Sequence, residues 1–229
     1  MIRNNLAQIR EQICDICQRV GRNPDEVTLV GVTKYADSAL VQQAVEAGLK
    51  HIGENKVQDA RLKFARLQEV GLKVTKHMIG HLQTNKAKDA VAIFDMIQSV
   101  DSLKLAAEVQ RQAQNANKTM DVLIQVNTSG EQQKFGIRPD EAAALIQQMQ
   151  DMTCLRVKGL MTIAPLTQDQ NMIRRSFRDL KILKDAIVKQ LPQSERVDMR
   201  YLSMGMSDDF AIALEEGSNM IRIGRAIFK

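Results

Sequence analysis

The chain has 229 residues, 44% of them hydrophobic and 26% charged, so a sizeable core is affordable and an intrinsically disordered chain is excluded. The net charge of +5 is spread along the sequence with no basic tail or like-charge run, which argues against nucleic-acid binding. No apolar stretch approaches ~18 residues and no signal-like run follows Arg3 and Arg10, so a soluble cytoplasmic protein without membrane contact is expected.

In chain order, Ile2, Leu6, Ile9, Ile13, Ile16 and Val20 fall on one face of a predicted first helix. The same helix carries Cys14 and Cys17, a C-x-x-C spacing. Its helical setting and the third cysteine, Cys154, favour packing over redox work. Val27 to Thr33 is a β-branched apolar strand that ends on Lys34. Asp37 or Ser38 then caps a helix closed by Gly48. "HIGEN" (51–55) is a short strand before a helix with Val57, Ala60, Phe64 and Leu67 in register. "KVTKHMIG" (73–80) is a third strand, followed by a helix over 84–90. "IFDMIQSV" (93–100) is the fourth, with a helix over 101–114 behind it. "MDVLIQVN" (120–127) is the fifth, and the loop "TSGEQQKFGI" (128–137) precedes a helix that opens at Pro139. "LRVKGLMTI" (155–163) is the sixth strand and 171–190 the next helix. "MRYLSMG" (199–205) and "NMIRIGR" (219–225) supply the last two strands, with a helix over 208–216 between them.

Eight strands alternate with eight helices, beginning on a helix and ending just after the last strand. Strict alternation implies parallel strands joined by crossover helices. The expected fold is therefore α/β, a single (β/α)8 TIM barrel over 1–229, with a doubly wound open sheet as the alternative. The first helix would occupy the place of the helix that normally follows strand eight.

Such barrels do chemistry at the carboxyl ends of their strands. Those positions are Lys34; Glu54 and Asn55; His81; Ser99; Asn127; Met161 and Thr162; Ser203 to Gly205; and Arg222 to Arg225. The ends of strands seven and eight, where phosphate sites lie in this fold, read "SMGMSDD" and "RIGRA". Gly205 and Gly224 let backbone N–H groups approach an anion, Ser203 can donate a hydroxyl, Ser207 can cap a helix, and Arg222 offers a charge-assisted contact. A lysine across the mouth from a phosphate cradle suits a phosphorylated carbonyl compound held as an imine, and pyridoxal 5'-phosphate fits that description. An apolar barrel wall around Lys34 would favour its free amine. Each element also has an ordinary reading: Lys34 as a snorkelling surface residue, "IRIGR" as a strand closing at a glycine turn, His81 as a hydrogen-bonded loop or core histidine, Glu54 as a helix-start carboxylate.

"HMIGHLQTNK" (77–86) resembles the signature of the YggS/PROSC-type pyridoxal-phosphate homeostasis proteins. So do "VGVTKY", "HIGENKVQDA", "VNTSGEQQKFGI", "GLMTIAP", "LSMGMSDDF" and "IRIGRAIF", in order from residue 27 to residue 228. The resemblance implies a single alanine-racemase-like barrel that binds pyridoxal phosphate and lacks the racemases' second domain. It implies an imine on Lys34, with Ser203, Gly205, Arg222 and Gly224 around the phosphate and ring edge and Asn55 beside the ring. His81 belongs to the signature without a derived role. Two departures stand out. Arg225 replaces the Thr or Ser that many members carry after "RIG", so a second cation replaces a phosphate hydroxyl. The sequence also reads "IFK" where many relatives continue from "IFG", so closure over the cofactor is expected to differ.

A racemase needs proton-transfer groups on both faces of the imine. Beyond Lys34, the tyrosines of this chain are Tyr35 and Tyr201, and Arg222 beside a pyridine nitrogen would disfavour the protonated ring. The expected role is therefore storage, buffering or delivery of the vitamin B6 cofactor by a monomer, without catalytic residues and without metal, with apoenzymes as recipients. A weak amino-acid racemase and a cofactor-sensing regulatory protein are the alternatives.

Overall fold

A computed structural model describes residues 1–131 and 133–229. Gln132, inside the predicted 128–137 loop, lies outside the described residues. Eight strands form a closed, all-parallel barrel in sequence order: β1 Thr28–Val32, β2 His51–Glu54, β3 Thr75–Met78, β4 Met96–Val100, β5 Met120–Gln125, β6 Leu155–Met161, β7 Val197–Ser203 and β8 Met220–Ile223. The barrel closes where β1 pairs with β8, Thr28 opposite Met220 and Gly31 opposite Ile223. The barrel expectation holds over the open-sheet alternative.

The helices are α1 Ile2–Arg19, α2 Ser38–Glu46, α3 Val57–Glu69, α4 Ala87–Ile93, α5 Leu103–Asn115, α6 Ala142–Met149, α7 Gln170–Gln190, α8 Phe210–Glu215 and a four-residue α9, Arg225–Phe228. α1 packs against α2, α8 and α9, filling the gap after β8 as expected. Asn5 of α1 donates to the Ile227 carbonyl at 2.9 Å. The expectation that the chain ends just after strand eight missed α9. Its four residues are too short to set up a helical period. β7 starts two residues before the predicted Met199, because Val197 and Met199 bury one face while Asp198 and Arg200 point to the other.

Strand alternation divides the core in two. Outward-facing residues such as Ile52, Met78, Ile97, Val122 and Leu202 pack beneath the helices. Inward-facing Val30, Met96, Leu123, Met161 and Met220 form a smaller cluster inside the barrel, with Tyr201 against it. Cys17 is buried in the outer layer, and burial pushes its thiol up, away from reactive thiolate. Cys14, Cys17 and Cys154 are all free, in keeping with packing roles. Asp37 caps α2 by accepting from the Leu40 N–H at 2.8 Å, a contact of about 1 kcal/mol. Among the described residues no helix is long and apolar enough to cross a membrane.

Candidate cofactor site at the barrel mouth

β1 sets the position of Lys34 by parity. Val30 faces the interior, Gly31 faces Leu49 outside, Val32 returns to the inner side, and Thr33 turns out toward β2 and α3. Lys34 is next and comes back to the mouth, while Tyr35 is 83% exposed. The Lys34 ammonium sits 5.0 Å from the Tyr35 ring centroid. A cleft of about 90 Å³ joins Lys34 to Val32, Ala36, Gly224, Arg225, Phe228 and Lys229. Lys34 is exposed, so the enclosing apolar wall expected around its amine is absent.

The backbone before Lys34 is braced from outside the barrel. Glu54 is fully buried at the end of β2, and its Oε1 accepts from Lys63 Nζ of α3 and from Thr33 Oγ1, each at 2.6 Å. Lys63 Nζ also donates to the Thr33 carbonyl at 2.6 Å. Among the described residues Glu54 Oε2 has no partner. Glu54 is thus neither a helix-start carboxylate nor directed to the mouth; it pairs with Lys63 to fix the residue preceding Lys34. Asn55 follows, its carbonyl oxygen 2.3 Å from where a side chain at Gly80 would begin.

Arg222 enters from β8. Its side chain is buried, donating from Nη1 to Ser203 Oγ at 2.7 Å and from Nη2 to the Thr162 carbonyl at 2.8 Å. Burial lowers its pKa to about 10, against the pull of Asp209, so it stays a cation at neutral pH. Ser203 in turn donates to Gln98 Oε1 at 2.6 Å. Its hydroxyl is therefore committed beneath Arg222 and is a strut rather than a free phosphate donor.

Gly205 has φ +96°, and a Cβ there would meet Ala213 Cβ at 2.6 Å, so both conformation and packing require glycine. Gly224 lies against Val32, whose carbonyl would be 3.2 Å from an added Cβ. Arg225 pairs with Asp208, linking the turns after β7 and β8, so this second cation already has a carboxylate partner. Ser207 does not cap α8: Asp209 holds that place and accepts from the Met206 N–H. His81 stacks on Phe135 with ring centroids 3.8 Å apart and its Nδ1 3.3 Å from Asp101. That pair lies on the rim, not among the residues around Lys34.

The cleft offers two primary amines, Lys34 and Lys229, one guanidinium, Arg225, and a glycine turn, with the buried Arg222 behind it, which suits a phosphorylated aldehyde. The residues fit pyridoxal phosphate. A larger pocket, about 730 Å³, lies at the opposite, amino-terminal end of the strands beside Arg10, Leu49 and His51. It has neither a glycine turn after a strand nor a mouth-facing amine, the two features that make the smaller cleft the candidate site.

The family described as alanine racemase, N-terminal domain, matches residues 4–229. The pyridoxal phosphate homeostasis protein of Aquifex aeolicus is 37% identical over 223 residues, covering 97% of this chain and 95% of that one. Its counterpart in Escherichia coli K12 is 36% identical over 99% of this chain and 95% of its own. The chain belongs to the pyridoxal phosphate homeostasis family, within the alanine racemase N-terminal domain group. The structure of PipY from Synechococcus elongatus with pyridoxal phosphate bound matches over the full length of both chains, with a TM-score of 0.87 and 32% identity. An alanine racemase from Clostridium difficile matches with a TM-score of 0.74 at 14% identity, over 55% of its own chain. That likeness concerns the barrel fold alone. Sequence reasoning missed Gln98, His77 and Lys63, which carry the polar scaffolding behind the mouth. Their signal was positional: polar residues at inward parity on β3 and β4, and a lysine one face of α3 away from a strand-end carboxylate.

Proposed function

We propose that this chain is a pyridoxal 5'-phosphate-binding protein that stores, buffers or delivers the cofactor and holds it covalently through Lys34. The observation that carries this reading is the cleft that Lys34 shares with the Gly224–Arg225 turn after β8. The names of the relatives and the cofactor-bound PipY structure support it. When bound, the cofactor supplies an aldehyde for a primary amine and a phosphate dianion. Lys34 would hold the aldehyde carbon, and the N–H groups of the Gly224 turn would hold the phosphate, with Arg225 exchanging its Asp208 partner for it. Asn55, Ser203 and Gly205 would shape the ring edge, with Ser203 acting through Arg222. Arg222, a fixed cation, would disfavour protonation of a neighbouring ring nitrogen and so weaken its use as an electron sink.

Holding is favoured over turnover. Tyr35 is 83% exposed and Tyr201 packs against the interior cluster, so neither presents an acid to a second face of the cofactor. We place the whole chain in this one role as a single monomeric domain, with cofactor-dependent apoenzymes as recipients, and its three free thiols suit a reducing cytoplasm.

The test loads the protein with pyridoxal phosphate, removes free cofactor, and mixes it with an apo-aminotransferase. Recovered aminotransferase activity from wild type, and none from an equally treated Lys34→Ala sample, is the expected result. Absence of transfer together with Lys34-dependent racemisation of alanine would make the chain an enzyme instead.

A further inference from the structure

A chain of hydrogen bonds threads the barrel from the mouth to the opposite end. Arg222 Nη1 donates to Ser203 Oγ at 2.7 Å, and Ser203 donates to Gln98 Oε1 at 2.6 Å. Gln98 Nε2 lies 2.9 Å from His77 Nδ1, and His77 Nε2 lies 3.0 Å from His51 Nδ1. The five residues come from β8, β7, β4, β3 and β2, all at inward parity. Gln98, His77 and Ser203 are buried, and His51 is half-buried at the wall of the amino-terminal cavity.

The chemistry of the end groups fixes the direction of every bond. Arg222 can only donate, so Ser203 accepts from it and spends its one hydroxyl proton on Gln98 Oε1. The amide nitrogen of Gln98 then faces His77 Nδ1, which must be a bare acceptor. Neutral His77 accordingly carries its proton on Nε2 and donates to His51 Nδ1. His51 Nδ1 is the terminal acceptor, and its own proton sits on Nε2. Five donors point from mouth to base, counting that last N–H.

This order cannot survive a proton on His51 Nδ1, because two N–H groups would then face each other. One proton taken from solvent onto His51 Nδ1 gives that ring both N–H groups, and His77 must then shift tautomer, losing its Nε2–H and gaining one on Nδ1, so that its bare Nε2 can accept. The Gln98 amide must turn, placing Oε1 toward His77 and Nε2 toward Ser203. Ser203 then receives from both Gln98 and Arg222, and its buried hydroxyl proton has no acceptor.

We propose that His51, His77 and Gln98 are positioning residues for Ser203 and Arg222, and that protonation of His51 from the far end of the barrel loosens the hold on the cofactor at the mouth. The functional part rests on the pyridoxal phosphate reading above. The charged and titratable groups facing His51 are His77 from β3, Arg10 and Cys14 from α1, Asp25 from the turn before β1, and Lys50 beside it in sequence. Burial first, and then Lys50, hold the His51 pKa below its ordinary value, so the neutral order prevails at neutral pH. The neutrality of His77 has the same cause, burial, reinforced by His51.

Two measurements test the proposal. In the cofactor-free protein, nitrogen-15 NMR reads the histidine tautomers and the Arg222 side-chain N–H signals. His77 should carry its proton on Nε2 at pH about 8, and Gln98→Leu should speed exchange of the Arg222 N–H groups. A proton on His77 Nδ1, or unchanged Arg222 exchange in Gln98→Leu, overturns the chain. The second measurement is the dissociation constant for pyridoxal phosphate in wild type and His51→Gln, whose amide oxygen still accepts from His77 but takes no proton. Wild type should weaken by roughly three- to tenfold more than His51→Gln between pH about 8 and about 5, the size of one lost hydrogen bond. Parallel profiles overturn the coupling. If wild type binds no cofactor at any pH, the functional reading fails, while the NMR arm still decides the chain.

Discussion

Lys63→Met is expected to lower the unfolding free energy by about 3–5 kcal/mol, as breaking a buried ion pair from one side does. Lys63 and Glu54 pair at 2.6 Å with side-chain exposures of 13% and 0%. Without the ammonium, a carboxylate with one already unpartnered oxygen keeps only the Thr33 hydroxyl. The Thr33 carbonyl, directly before Lys34, also loses one of its two donors and keeps the Ala36 N–H at 3.0 Å. Urea denaturation measures the loss. The double variant Lys63→Met/Glu54→Leu should regain most of the stability, since replacing both partners by apolar groups is often close to neutral. It should regain less of the cofactor affinity, because the Thr33 carbonyl then keeps only the local Ala36 N–H and no tether to α3. Full recovery of both would reduce the brace to packing alone.

The second large effect is a pH dependence written into the barrel interior. Burial, and secondarily His51, bring the His77 pKa down to about 3 from an ordinary 6.5. Above the unfolded value, both folded and unfolded chains carry a neutral imidazole and nothing is lost. As pH falls below it, the unfolded chain binds a proton that the folded chain refuses, so stability drops until the folded pKa is reached. The share due to His77 alone between neutral pH and pH 4.5 is about 2–3 kcal/mol. His77→Gln removes that share. The variant should be less stable than wild type at neutral pH, and the gap should close or reverse at pH 4.5, read from urea midpoints at both pH values. Parallel losses in the two proteins would mean that His77 is hydrated and titrates normally.

The fold was legible because each βα unit announces itself: a β-branched run such as Val27 to Thr33, then a capped amphipathic helix such as the one Asp37 opens. Lys34 was legible for the same reason, a lone cation at the end of an apolar strand. The interior chain was not. His77 and Gln98 sit within "KVTKHMIG" and "IFDMIQSV", where one polar residue reads as an interruption of the strand. Their meaning depends on the alignment of β2, β3, β4, β7 and β8 around a closed barrel, which no local pattern contains. Ser203 and Arg222 were singled out by position as candidates, yet the sequence could not tell that Ser203 spends its proton on Gln98. The partner of Arg225, Asp208, escaped notice because the two meet only when the turns after β7 and β8 close side by side. The Glu54–Lys63 brace has a similar cause: the nine-residue spacing crosses from a strand end to the second turn of a helix, outside any single-element rule.

The central claim is that Lys34 holds the cofactor. Its most direct test is borohydride reduction of the protein loaded with pyridoxal phosphate, followed by peptide mapping, with absorption recorded beforehand in wild type and Lys34→Ala. Wild type should show a band at ~420 nm that is absent from the variant, and a reduced adduct on the peptide containing Lys34. An adduct on Lys134 or Lys229 instead, or the same band in Lys34→Ala, would contradict it and return Lys34 to an ordinary surface lysine at the end of β1.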